Sequence, residues 1–212
     1  MADPMAFSVG FSGGSGIIYG LRLVQELLDA GHQVHLAATG AAFRVLRHEE
    51  GLEISEAPEE LAALFKHHEN LLVYDQAAVE STPASGSAAI RATILVPCSM
   101  GTLARVAHGF SSNLIERSAD VALKEDRPLI LVPRETPLAE HHLENMLKLR
   151  RMGATILPAM PGFYHRPATM SDLVDFVVGK ILAKLDVESP IRQRWSTPAR
   201  DPKTSRWDEG EI

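Results

Sequence analysis

Residues 9–20 read VGFSGGSGIIYG, five glycines and two serines set directly ahead of a helix-like apolar pattern. A strand-like run, MAFSVGF, leads in. IIYGLRLVQELLDAG follows, with apolar residues at Ile17, Ile18, Leu21, Val24, Leu27 and Leu28, the spacing of a helical stripe. Gly31 stands where a helix C′ residue belongs, and QVHLAA resumes a strand pattern. The unit reads strand, glycine-rich turn, helix, strand.

Glycines let a backbone approach a ligand closely, and the unpaired N–H groups at a helix N-terminus favour an anion, most often phosphate. The specific fingerprints are absent, however. No lysine follows the glycines as a Walker loop requires, and Gly14, Gly16 and Gly20 are spaced one residue wider than GxGxxG. On these residues alone, a tight β-to-α turn with no ligand stays open.

The chain has 212 residues, 45% of them hydrophobic, enough for one full core. A net charge of −6 without any Lys/Arg-rich cluster argues against nonspecific nucleic-acid binding and for small-molecule or protein partners. The start shows no charged segment followed by an apolar one, and no run of 18 apolar residues occurs, so a soluble cytoplasmic protein without a membrane span is expected. The single cysteine, Cys98, excludes an internal disulfide and a multi-cysteine metal site, and reads as a small buried apolar residue. The adjacent pairs His67-His68 and His141-His142 lack the i, i+4 spacing that grips zinc and read as solvated faces. No metal site is expected.

Further along, helices are expected from about Gly40 to Glu50 and near SEAPEELAALFKHHEN, then a short strand at LLVYD and a polar loop, AVESTPASGSAAI. RATILVPCS, RPLILVPRE and ATILPAMPG read as strands; MGTLARVAHG, NLIERSADVALKE, LAEHHLENMLKLRRMG and SDLVDFVVGKILAKLD read as helices. Near-continuous apolar strands alternating with helices imply a parallel sheet covered on both faces. Residues 1–188 are thus expected to form a single doubly wound, Rossmann-like α/β domain, and residues 189–212 a polar tail, mobile or laid on a neighbouring subunit.

In such folds ligands sit beyond the carboxyl ends of the strands. The segments there are SGGSG, Thr39, CSMGT, Arg134-Glu135 and MPGFYHRP. Hydroxyls, glycines, an arginine, a glutamate and a tyrosine converge on one edge, a composition suited to a phosphorylated ligand with an uncharged ring.

At CSMGTLARVAHG, NLIERSADVALKE, LILVPRETPLAEHHLENMLKL and MPGFYHRP, with SGGSGIIYGLRL and PASGS, the sequence resembles the UbiX-type flavin prenyltransferases from about Phe7 to Leu185. The resemblance implies an FMN-binding Rossmann-like fold, assembled as a dodecamer with active sites where subunits meet. It implies transfer of a dimethylallyl group from dimethylallyl monophosphate to N5 and then C6 of reduced FMN. The prenylated FMN would serve a UbiD-type decarboxylase. By the same resemblance Gly13, Gly14, Ser15, Thr39, Ser99, Met100, Gly101, Thr102 and Arg134 would contact FMN. The prenyl phosphate would meet Arg117, Lys124, Arg134, Tyr164 and Lys180, with Ser15, Glu49 and Glu135 handling protons and no metal required. Two positions depart from the better-known bacterial members: an arginine of the last helix is Lys180, and a tryptophan shortly before PASGS is Val79.

Several of these residues also have plainer readings. Lys180 falls within a stripe expected to bury Leu173, Phe176, Val177 and Ile181, where a lysine either snorkels or meets an anion. Arg117 and Lys124 share a helix with Glu116 and Asp120, the pattern of an exposed face laced by weak ion pairs. Two other functions share the features: an FMN-dependent cysteine decarboxylase of the phosphopantothenoylcysteine type, whose PASANT and PxMNxxMW signatures are absent, and a catalytically inactive flavin-binding subunit.

Overall fold

Six strands pair in parallel in the computed structural model, which describes residues 4–192. In chain order the elements are β1 (Ala6–Phe11), α1 (Ile17–Asp29), β2 (Gln33–Ala38), α2 (Gly40–Glu50), α3 (Pro58–Ala63), β3 (Leu71–Tyr74), β4 (Ile90–Cys98), α4 (Met100–Ala107), α5 (Leu114–Lys124), β5 (Leu129–Pro133), α6 (Glu140–Arg151), β6 (Thr155–Ile156) and α7 (Met170–Leu185). The strand order is β3-β2-β1-β4-β5-β6. The chain therefore winds outward from β1 in one direction, returns, and winds outward in the other, which is the doubly wound α/β arrangement expected. The order reverses between β1 and β4, and in such sheets ligands bind beyond the strand ends at that point.

The side chains of β1 show why helices must cover both faces: Phe7 through Phe11 are all buried. On one face Phe7, Val9 and Phe11 pack with Leu23 and Leu27 of α1 and Val178 and Ile181 of α7. On the other, Leu95 and Leu131 pack with Leu103 of α4, Ile115 of α5 and Leu149 of α6. Cys98 is fully buried as expected, and burial pushes its thiol pKa up to about 12.

Helix boundaries follow local chemistry. Thr39, Ser99, Asn113 and Thr169 each cap a helix with a side chain that accepts from the backbone N–H three residues on. At the end of α1, Gly31 adopts φ 79°, with Gly31 N donating to Leu28 O and His32 N to Leu27 O. This is a Schellman stop, which favours glycine.

Some expectations change. The apolar stripe of α1 is wider than one face: Leu23 is buried whereas Ile18 is 37% exposed, because α1 packs against both the sheet and α7. The ATILPAMPG strand shrinks to Thr155–Ile156, since it lies at the sheet edge and Pro158 has no N–H for a ladder. His67 is not helical; it sits at φ 50° past the end of α3. Of the polar tail, Ser189–Arg192 turn back on α7, where a Cβ on Gly179 would lie 2.8 Å from Ile191 O. Residues 193–212 lie outside the described residues.

Gly20 lets α1 settle on the sheet: a Cβ there would stand 2.5 Å from Val96 O and 2.6 Å from the Phe11 ring. Gly20→Ala is expected to cost about 1–3 kcal/mol through overpacking. Urea unfolding should show a lower midpoint at unchanged slope.

Candidate active site

Where β1 and β4 end side by side, a serine that the sequence reading passed over joins them. The buried Ser12 hydroxyl donates to Pro97 O at 2.9 Å and accepts from Ser99 N at 2.7 Å. The glycines beside it prove to be packing residues. A Cβ on Gly13 would lie 2.5 Å from Ala41 Cβ, and one on Gly14 would lie 3.2 Å from Pro97 Cβ and 3.3 Å from Ser99 N. Their missing side chains let the loop after β1 lie against the start of α2 and the end of β4.

The anion expected at the N-terminus of α1 is present, and it is the protein's own. The last turn of α2 carries Glu49 there, and its Oε2 accepts from Gly16 N at 2.8 Å and Ile17 N at 3.1 Å. Gly16 sits at φ 92°, a left-handed backbone that presents these two N–H groups and suits glycine. Partial burial pushes the Glu49 carboxyl up in pKa. Hydrogen bonds from Ser15, Gly16 and Ile17 and the Arg134 charge together outweigh that and hold it below its ordinary value. Ser15, Glu49 and Arg134 thus form one electrostatic cluster, drawn from the ends of β1, α2 and β5.

Around it, Thr39 caps α2 and Ser99 caps α4, with Ser99 Oγ donating to Thr102 Oγ1 at 3.0 Å. Met100 and Thr102 are buried and Gly101 is exposed, so this run offers the edge mostly main chain. Glu135 follows Arg134 directly, and its Oε1 accepts from Thr136 N at 3.0 Å.

The remaining residues fall into two further groups. Tyr164 and Lys180 gather around Phe176 on α7. Lys180 is exposed rather than buried in the α7 stripe, and its ammonium lies 5.2 Å from the Phe176 ring centroid. Helical side chains lean toward the N-terminus, so residue 180 reaches back over residue 176. Arg117 and Lys124 lie on the outer side of α5, across the sheet from α7, where Arg117 pairs with Asp120 at 2.8 Å and Lys124 with Glu125 at 2.7 Å. Lys124 also borders the PASGS loop, with Nζ 3.2 Å from a Cβ built on Gly86. Both precede the starts of strands, so Lys124 sits at the edge of the sheet opposite Ser15. Glu116 leaves the exposed face expected for it: it is fully buried, bonded to Arg105 Nε and accepting from Ser112 N at 2.9 Å.

Among the described residues no three His, Cys, Asp or Glu side chains are grouped to hold a metal ion, and no helix is long and apolar enough to cross a membrane.

The flavoprotein family's sequence profile matches residues 3–182. A flavin prenyltransferase UbiX from Halalkalibacterium halodurans is 50% identical over 190 residues, 89% of this chain and 92% of that one. Among solved structures, AnUbiX (PadA1) in complex with FMN and dimethylallyl pyrophosphate superposes with a TM-score of 0.82 at 35% identity, covering 91% of this chain and 98% of that one. A dodecameric FMN-dependent UbiX-like decarboxylase from Escherichia coli O157:H7 superposes with a TM-score of 0.80 at 38% identity, covering 91% and 100%. The chain belongs to the flavoprotein family and, within it, to the UbiX flavin prenyltransferases.

Because the folded pKa of Glu49 lies below its unfolded value, the carboxylate contributes stability above the unfolded pKa and loses it as pH falls through the folded one. An exposed anion at a helix N-terminus is worth about 0.3–1 kcal/mol. Glu49→Gln should therefore lower the urea midpoint at neutral pH. The gap from wild type should close on acidification below about pH 4.

Proposed function

We propose that this enzyme moves a dimethylallyl group from dimethylallyl monophosphate to N5 and then C6 of reduced FMN. The observation that carries this reading is the cluster of Ser15, Glu49 and Arg134 at the sheet's switch point, in a chain of the UbiX branch. Bound at that edge, reduced FMN supplies the nucleophilic ring atoms.

The chain's own residues handle protons and charge. Ser15, which helps hold the Glu49 carboxyl below its ordinary pKa, passes a proton between the flavin and the carboxylate, while Glu135 serves as a second acid/base. Gly13, Gly14, Thr39 and the Ser99–Thr102 run line the flavin side. Breaking the allylic C–O bond leaves charge on the phosphate, and cations aimed at that position stabilise it. Arg134, Lys180, Arg117 and Lys124 supply the charge, and the Tyr164 hydroxyl supplies a donor.

These cations occupy three separate parts of one chain, so we place the complete site where copies meet. The dodecameric assembly of the Escherichia coli relative supports that reading. The product is suited to a UbiD-type decarboxylase.

Incubation with reduced FMN and dimethylallyl monophosphate should yield a flavin heavier by one C5 unit in the mass spectrum; an unchanged flavin would overturn the proposal. Lys180→Ala should lose about ten- to a hundredfold in donor affinity or turnover, the worth of one charge-assisted contact, with FMN binding retained. Chains carrying Ser15→Ala or Lys124→Ala should each be weak alone, yet recover activity when co-assembled. Absence of recovery would put the site within a single copy.

A further inference from the structure

Three side chains converge on the ring of Phe176. Tyr164 meets it edge-on, with centroids 5.5 Å apart at 77°. His165 stacks on it at 5.1 Å and 8°. The Lys180 ammonium stands 5.2 Å from its centroid. Gly162 closes in as well: a Cβ there would lie 2.9 Å from Phe176 Cζ and 3.0 Å from Tyr164 Cε1. The ring is half-buried, backed by the core that α1 and α7 share, so it is itself fixed. Both nitrogens of His165 are buried without a hydrogen-bond partner among the described residues, so its stack on Phe176 holds that ring in place of hydrogen bonds.

We propose that Phe176 is a positioning residue for the prenyl donor's phosphate, holding the Lys180 ammonium and the Tyr164 loop in their binding arrangement before the donor arrives. The proposal rests on the reading that Lys180 and Tyr164 contact that phosphate. An exposed lysine samples many rotamers, and ordering them on binding weakens affinity. The face of an aromatic ring attracts an ammonium, confining Lys180 beforehand while its N–H groups stay able to turn to an anion. Gly162 is part of the same device, because a larger residue would wedge the loop away from the ring.

The test is steady-state prenylation by the full assembly, with FMN affinity measured alongside. Phe176→Leu keeps an apolar side chain and removes the ring's face. It should raise the KM for dimethylallyl monophosphate about three- to tenfold, with kcat and FMN affinity little changed. Gly162→Ala, which pushes on the ring from the loop and leaves every α7 side chain in place, should do the same and so guards against a folding defect in Phe176→Leu. In a Lys180→Ala background, Phe176→Leu should have a smaller effect, since its action through the Lys180 ammonium is already lost and only that through Tyr164 remains. Additive penalties, or an unchanged KM in both Phe176→Leu and Gly162→Ala while Lys180→Ala raises it, would overturn the proposal alone. An unchanged KM in Lys180→Ala would instead overturn the phosphate reading beneath it.

Discussion

Ser12 ties together the two strands between which the sheet reverses its order, and the geometry of the site follows from that tie. Its hydroxyl both donates to the end of β4 and accepts from the residue after it, at a position with no access to water. Leaving either partner unpaired there would cost about 1–3 kcal/mol, so the two strand ends are held as a unit. Gly13 and Gly14 then lie flush against Ala41 and Ser99, and the first residues of α1 have a fixed origin. Every later feature of the edge is measured from it.

The use made of the α1 N-terminus sets this fold apart from the dinucleotide-binding arrangement it resembles. There the helix start takes a pyrophosphate. Here the glycines are spaced one residue wider, Gly16 turns through left-handed backbone, and the N–H groups meet Glu49. The partial positive charge that would hold a ligand's phosphate instead keeps a carboxylate ionised beside Ser15. A protein carboxylate thereby stands at a point where related folds place a ligand anion.

The cationic side chains are distributed with equal consequence. α7 and α5 cover opposite faces of the sheet, so Lys180 and Lys124 cannot meet within one chain. Arg105, itself part-exposed, bonds the fully buried Glu116 and so ties α4 to α5.

What the sequence determined by itself was local: the alternation of apolar strands and helices and the glycine that stops α1. Each depends on residues a few positions apart, where spacing and side-chain chemistry are sufficient. The strand-end segments could likewise be placed at one edge, because a parallel sheet sends all its carboxyl ends the same way. The tertiary structure alone decided that Glu49 caps a helix 33 residues away, that Glu116 is buried against Arg105, and that Lys180 folds back over Phe176 instead of entering the core. Those outcomes depend on which elements become neighbours and on where a carboxylate or an ammonium finds an opposite charge or a ring face. Charge and hydropathy patterns along a helix carry no record of either.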